Sequence, residues 1–464
     1  MTATTAHADD LRDALALAYA TSPALNAARA DTRAGDEEVP IQRAPGLPSA
    51  NATATHVEFV RQSANQFTAP ERNLGINGQV LIPIYSGGGV KNAILAAKER
   101  SSASRADLRG VEAQVFSQVV AAYMDVLRTE ALAQLAANQV SVLETNLNTT
   151  SSRQELGDLT LTDVAQSRSR LAIAQGDLRT AQANLRGAQE TYLRFVGKAP
   201  EQLSPPPPLM GFPDTVGEAV VTALENNPDL IAAKERAEAA GFDTKAAGAG
   251  RLPSVSAFAN VDYSDFFGTL GGPIAADFVQ AETTANVGVR LTIPLFNGGA
   301  VAARQRQASA RETSALENVI AAERSVIAQV RASYADWKAS NAVIESSLVA
   351  VDAAKLSLEG VRAENSIGNR TILDVLNAEQ ELLQSRVNLV TARRNAYVAG
   401  FSLLAAMGRA EARDLNLETD GPLYDPMVNY ERVSGKVSDW DRAPEASARS
   451  TRTLDAKVYG PSLD

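Results

Sequence analysis

The chain has 464 residues, of which 45% are hydrophobic and 21% are charged, proportions typical of a folded protein. Its net charge of −10 argues against nucleic acid as a partner, because phosphates are bound by clustered lysine and arginine. The same charge suits a lumen that favours cations. The sequence contains no cysteine. We therefore expect no disulfide, no thiolate metal site and no lipid-modified N-terminal cysteine.

The sequence offers little enzyme chemistry. Its two histidines, His7 and His56, lack metal-ligand spacing, and His56 is interpreted as an ordinary residue on a strand face. We expect no catalytic residue, no metal and no cofactor. Ala6-His7-Ala8 has the small-x-small form of a signal-peptidase site. Residues 1–8 are interpreted as residual signal peptide, with an ordinary polar N-terminus as the alternative.

Each half of the chain begins with a helical pattern and continues with two strand candidates. The helical patterns cover 11–30 and 216–230, and the first is interrupted at Ser22-Pro23. The strands are predicted over about 49–66 and 72–85, and again over about 254–267 and 282–295. Apolar residues alternate with polar ones in most of them. Such strands are long enough to cross a bilayer, while a soluble sheet covered by helices is the alternative.

The second strand of each pair ends in the same motif. The motif is Ile-Pro, then Ile-Tyr-Ser or Leu-Phe-Asn, then Gly-Gly. Proline cannot donate to a strand ladder, and paired glycines allow a sharp turn. We therefore predict strand-to-helix junctions built on Pro83, Gly87, Gly88, Pro294, Gly298 and Gly299.

A long helical hairpin follows each junction. The helical pattern runs for more than 60 residues without proline, which corresponds to a helix about 100 Å long. Two neighbouring apolar stripes follow the first helix, one through Val115 and Val119 and the other through Phe116 and Val120. Two stripes allow packing on both sides, as in a curved wall of helices. A plain coiled-coil scaffold would explain the heptads but not the strands.

The two halves correspond residue by residue, which indicates an internal tandem duplication. The predicted units are residual signal peptide 1–8, first repeat 9–203 with hairpin 88–197, Pro-rich linker 204–213, second repeat 214–410 with hairpin 299–408, and polar C-terminal tail 411–464. Four strands cannot close a barrel, since about eight is the smallest number that does. Two chains would supply eight strands and three would supply twelve.

The duplicated junction and the hairpin tips at 156–164 and 367–376 resemble those of the TolC family of outer-membrane channel-tunnels. The resemblance covers about residues 9–435. It implies an α+β membrane protein whose long α-helical hairpins form a trimeric α-barrel in the periplasm. The four β-strands of each chain would contribute to a shared 12-strand transmembrane β-barrel. The closed end would dock a periplasmic adaptor and an inner-membrane transporter, ABC-type or proton-driven.

The resemblance also implies roles for residues near the tips. It assigns the pore constriction to Asp374, with Asn377 standing where a second acid is expected one turn later. A solvated aspartate at a helix end is the alternative. It assigns the gate links to Arg370, which would bind the neighbouring hairpin, and to three further residues, Thr162, Asp163 and Asn365. Asn365 stands where the family often has a tyrosine.

The tips themselves are implied to contact the adaptor. The residues concerned are Gly157, Leu159 and Gly368, for which plain turn chemistry is the alternative. We expect an outer-membrane exit duct that extends into the periplasm, touches outer-membrane lipid and exports protein (type I secretion) or small molecules. The lack of a lipidation cysteine favours the secretion type. The alternatives are a multidrug efflux outer-membrane factor and, from another class, a periplasmic coiled-coil adaptor or scaffold.

Overall fold

The structure, a computed structural model, describes residues 10–62, 69–417 and 422–442. The predicted signal peptide 1–8 lies outside the described residues. The helices are α1 (Leu11–Thr21), α2 (Pro23–Asp36), α3 (Glu38–Arg43), α4 (Gly89–Glu155), α5 (Leu161–Val196), α6 (Val216–Asn226), α7 (Pro228–Gly248), α8 (Ala300–Ser366), α9 (Ile372–Ala406) and α10 (Pro426–Ser434). The strands are β1 (Ser49–Glu58), β2 (Arg72–Tyr85), β3 (Ser254–Asp265) and β4 (Ala281–Thr292).

The short helices break where a capping residue precedes proline. Ser22 separates α1 from α2, and its Oγ accepts a hydrogen bond from the Leu25 amide at 3.4 Å. Asn227 separates α6 from α7, and its Oδ1 accepts from the amides of Asp229 and Leu230. In both cases proline occupies the first helical position, where no amide hydrogen is needed. The breaks are therefore local and follow directly from the sequence.

The four strands form one antiparallel sheet in the order β1-β2-β3-β4. Directly opposed residues share a face of the sheet. In the middle of the sheet, the register places apolar residues opposite apolar ones and polar residues opposite polar ones. One such row is Ala50, Val80, Ala259 and Val287, and the adjacent row on the other face is Asn51, Gln79, Asn260 and Asn286. The sheet thus has one apolar face and one polar face.

Three strands end earlier than their patterns predicted, and β3 does so by two residues, at Asp265. β1 ends at Glu58, and residues 63–66 of the predicted 49–66 strand lie outside the described residues. β4 ends at Thr292, before Pro294, which has no amide hydrogen for the ladder. β2 instead runs through Pro83 to Tyr85 with a register shift at that point, where it pairs with Val255.

The long helices α4 and α8 each contain 67 residues and pack against α5 and α9, respectively. The main core lies at the middle of the bundle. Both predicted stripes of α4 contribute to this core. Val119 belongs to the first stripe, Tyr123 continues the second, and both side chains are fully buried. The Tyr123 hydroxyl donates to the Ser204 carbonyl at 2.6 Å, which ties the Pro-rich linker to the core. Among the described helices, none combines the length and apolarity needed to cross a bilayer.

The C-terminal region holds more structure than the predicted polar tail. α10 packs against α2 and α3. Asn429 of α10 donates to Asp36 at 2.8 Å, and Asp36 is fully buried and also accepts from Ser101 of α4 at 2.6 Å. A helix of nine residues is too short to show a clear period, and its buried polar partner is distant in sequence. Both facts hid it from sequence analysis.

A titratable cluster holds the chain just after α9. Arg109 donates to the Glu411 carboxylate at 2.6 Å, and Glu112 accepts from the Ala412 amide. Burial raises the pKa of Glu112 to about 7, opposed chiefly by the hydrogen bond from the Ala412 amide and less by Arg29, while Glu411 and Asp414 add repulsion. Glu112 is therefore substantially protonated at neutral pH.

Because the folded pKa of Glu112 lies above its ordinary value, the contribution of this group to the free energy of unfolding should be highest in mild acid and fall as pH rises from about 4.5 to about 7. We expect Glu112→Gln, which keeps an acceptor for the Ala412 amide, to remove a loss of about 2 to 3 kcal/mol between these limits. Thermal midpoints at pH 5 and pH 8 test this. Glu144→Gln, at an exposed position of the same helix, is the control. Equal pH dependence of both variants would contradict the assignment.

Candidate functional site at the hairpin tips

Both hairpins turn through a left-handed glycine at the end farthest from the sheet. Gly157 has φ +86° and Gly368 has φ +81°, and a Cβ at either position would meet open space. The Asp158 amide donates to the Arg153 carbonyl, and the Asn369 amide donates to the Glu364 carbonyl. These bonds satisfy the carbonyl groups that a helix end leaves free. The neighbouring apolar side chains, Leu156 and Ile367, are exposed.

Each return helix begins with the same reciprocal cap. Thr160 and Asp163 form a capping box at α5, and Thr371 and Asp374 form one at α9. Asp374 accepts from the Thr371 amide at 3.0 Å and from its hydroxyl at 2.8 Å. These bonds hold the pKa of Asp374 below its usual range. Asp374 is therefore the charged member of the α9 capping box, and Thr371 is its N-terminal cap.

The residues predicted to link the gate are found beside other partners within the chain. Arg370 donates to Glu364 at 2.7 Å, and Asn365 donates to the Arg370 carbonyl at 2.8 Å. Asp163 is engaged by Thr160, and Thr162 is exposed. The predicted link from Arg370 to a neighbouring hairpin stays a prediction.

The two hairpins of the chain are joined by polar contacts above the tips. Arg170 of α5 donates to Oδ1 of Asn377 on α9 at 3.0 Å. Glu379, two residues further along α9, is only 3% exposed. It accepts from Asn146 of α4 at 2.8 Å and from Arg362 of α8 at 2.9 Å. We call Glu379, Asn146 and Arg362 the buried tie.

The buried tie was not predicted from the sequence, although α9 carries a signal for it. Glu379 falls in the apolar stripe of α9, between Val375 and Leu382, which pack in one core cluster. A charged residue at a core position needs partners, because burying an unpaired charge costs several kcal/mol. The pattern could have identified Glu379 as a buried acid. Its partners on α4 and α8 depend on the tertiary structure.

The opposite ends of the long helices carry the Gly-Gly junctions. Gly87 and Gly88 have φ +62° and +81°, and Gly298 and Gly299 have φ +58° and +79°. Gly88 and Gly299 are the N-terminal caps of α4 and α8. Left-handed backbone at both positions lets each strand turn into a helix without a Cβ clash. Within the described part of the chain, no group of histidine, aspartate and glutamate side chains is placed to hold a metal ion.

The sequence matches the family described as outer membrane efflux protein over residues 14–198 and 219–409, one stretch in each half. The chain belongs to the outer membrane efflux protein family. This confirms the predicted resemblance, since the TolC protein of Escherichia coli is 25% identical over 73% of this chain and 72% of its own. Membership places the chain in the outer membrane and among transport proteins.

Other relatives of this family member differ in the transport roles that their names describe. Outer membrane efflux protein BepC of Brucella suis is 29% identical, covering 94% of this chain and 93% of its own. Alkaline protease secretion protein AprF of Pseudomonas aeruginosa is 26% identical, covering 71% and 67%. The solved CmeC outer membrane channel of Campylobacter jejuni superposes with a TM-score of 0.76 at 16% identity, covering 92% and 90%. That likeness confirms the fold: a mostly helical chain with four antiparallel strands.

Proposed function

We propose that three copies of this chain form a passive exit duct across the outer membrane, with a shared barrel of twelve strands. The observation that supports this best is the sheet. Its apolar face is exposed, with Val287, Val289 and Leu291 of β4 each more than half exposed. Its edges are β1 and β4, and in the described residues neither has an outer neighbour. Lipid would cover the apolar face, and the edge strands of neighbouring copies would pair with each other.

The long helices support the same assembly. α8 exposes apolar side chains along much of its length, including Leu316, Val349 and Leu356. Neighbouring copies of the hairpins would cover such residues in a closed α-barrel. The duplication of strand pair and hairpin, with repeats 9–203 and 214–410 about the 204–213 linker, is part of this proposal. The predicted end of the second repeat falls beside Glu411, where the chain turns toward α10.

The tips would dock a periplasmic adaptor through Gly157, Leu159 and Gly368. An inner-membrane transporter would supply the energy, because the sequence carries no nucleotide-binding motif. The cargo class is protein or small molecules, since AprF is named as a protease secretion protein and BepC as an outer membrane efflux protein. A periplasmic coiled-coil adaptor is disfavoured by the four-stranded sheet and by the family match.

We propose further that Asp374 narrows the duct, with Asn377 one turn above it and the Arg370 link holding the hairpins closed. Threefold symmetry would place three Asp374 carboxylates around one opening, where they attract cations. Asp374→Ala should therefore raise single-channel conductance in planar bilayers and weaken block by multivalent cations.

The matched control for this prediction is Thr160→Ala, which disrupts the same type of capping box in the other hairpin at a residue outside the predicted gate links. It should leave the cation block in place. If both variants lose the block equally, the effect comes from the helix cap and Asp374 does not line the constriction. If neither channel conducts and sedimentation shows a monomer, the duct itself is refuted.

A further inference from the structure

The C-terminal segment, residues 422–442, follows α2 and α3 in one direction. At its start the Tyr424 amide donates to the Tyr19 hydroxyl at 2.9 Å, and its ring lies 5.1 Å from the Arg29 guanidinium. Next, Asn429 donates to Asp36 at 2.8 Å. The Ser434 carbonyl then accepts from Arg43 at 3.3 Å. Each contact along the segment meets a residue further along the run of helices α1, α2 and α3.

This direction leads toward the sheet. Arg43 is the last residue of α3, and β1 begins shortly afterwards at Ser49. The chain beyond Ser434 therefore lies near the boundary between the helices and the strands. In the proposed duct that boundary is the periplasmic surface of the outer membrane. Large apolar residues of the junctions, among them Tyr85 and Phe296, are exposed there as well.

Residues 435–442, which follow Ser434, carry two exposed apolar side chains. Trp440 is 85% exposed and Val437 is 67% exposed. Ile41, on the face of α3 close to Arg43 in sequence, is 58% exposed. Lys436 pairs with Asp441, and the two other charged residues of 435–442, Asp439 and Arg442, have opposite signs, so this stretch carries no net charge. Tryptophan favours the interface between hydrocarbon and headgroups, where the ring is buried and its N–H stays hydrated.

We propose that residues 435–442 form an interfacial anchor, in which Val437 and Trp440 insert among the phospholipid headgroups of the periplasmic leaflet. The proposal rests on the proposed function, because the apolar face of the sheet sets the position of the bilayer. α10 and its bond to buried Asp36 hold the anchor at a defined depth. A second copy of the chain is the competing occupant, and the two are separable by experiment.

The chain has only two tryptophans, which makes the test direct. The full-length protein is reconstituted in phosphatidylethanolamine–phosphatidylglycerol vesicles with and without brominated acyl chains, which quench nearby indole. Trp337→Phe leaves Trp440 as the only indole. Trp440→Phe leaves Trp337, which stacks on Phe212 at 4.3 Å and lies roughly 55 Å along α8 from its start. A third variant, Trp337→Phe/Trp440→Phe/Val289→Trp, places an indole on the apolar sheet face.

We expect Trp440 to lose emission in brominated lipid to an extent comparable to the Val289→Trp reporter, and Trp337 to lose none. If Trp337→Phe disturbs folding, the difference between wild type and Trp440→Phe yields the same quantity. A quenched reporter with an unquenched Trp440 would overturn the anchor and leave the duct intact. If Trp440 emission is blue-shifted but is not quenched by brominated lipid, a second copy of the chain covers Trp440. That result would also overturn the anchor. An unquenched reporter would refute the placement of the sheet, and with it both proposals.

Discussion

Gly408→Ala is expected to destabilise the chain by about 3 to 5 kcal/mol, the largest effect of any single substitution considered for the fold. Gly408 follows α9 with φ +71°, a conformation that costs alanine energy. A Cβ there would also lie 2.6 Å from the Asn226 carbonyl carbon and 2.9 Å from the Asn227 nitrogen. These are backbone atoms at the α6–α7 break, where Asn227 donates to the buried Ala406 carbonyl at 2.9 Å. They cannot move without disrupting that cap.

Gly197 provides the matched control for Gly408. It ends α5 as Gly408 follows α9, and its φ of +87° imposes the same backbone penalty. A Cβ at Gly197 would meet only the Thr21 Oγ1, at 3.4 Å. Gly197→Ala should therefore cost about 1 kcal/mol. The measurements are the thermal midpoint of the purified protein and its yield in the outer membrane. Equal losses in the two variants would mean that backbone strain, and not the contact with Asn226, sets the requirement for glycine.

Asn146→Ala should release the two hairpins from each other just above the tips. It removes two hydrogen bonds from the buried Glu379 carboxylate, leaving Arg362 as its remaining partner in the tie. Hydrogen bonds to charged groups are worth about 1.5 to 3 kcal/mol, so we expect a loss of about 2 kcal/mol. This corresponds to roughly a 30-fold increase in local opening. Amide hydrogen exchange along the first turns of α9 reports it, and channel conductance should rise with it.

Asn138→Ala is the control for the buried tie. Asn138 lies on the same helix, but its amide group accepts only from exposed Gln134, one turn away. Its loss should leave exchange in α9 unchanged. Arg362→Ala tests the third member, and its smaller effect is expected because Arg362 is half exposed. If exchange in α9 is the same in Asn146→Ala and Asn138→Ala, the buried tie does not join the hairpins.

The variants of the buried tie bear on the proposed constriction, because both involve the first turns of α9. Asp374 belongs to the α9 capping box, and Glu379 lies only a short distance along the same helix. A constriction built on Asp374 can be no more rigid than the first turns of α9. The buried tie fixes those turns to α4 and α8 of the same chain. In the proposed constriction these residues would therefore support Asp374, although none was identified from the sequence.

Local patterns were enough to predict most of the architecture. Strand alternation, the Pro and Gly-Gly junctions and the tip glycines are properties of neighbouring residues, and the structure shows left-handed glycines where the turns were expected. The helix breaks at Ser22 and Asn227 are likewise local, because a cap and a following proline specify them. The ends of the strands do not follow from the local motif, since β2 continues through Pro83 whereas β4 stops before Pro294.

Contacts between distant residues were decided only by the tertiary structure. The sequence by itself determined the strand pairs, the long hairpins and the family to which the chain belongs, and it predicts the tandem duplication. It could not show that Glu379 meets Asn146, that Asp36 holds α10, or that Gly408 meets backbone atoms where Gly197 meets a side chain. Each of these depends on packing between helices far apart in the chain, and helical periodicity describes a face without naming what covers it.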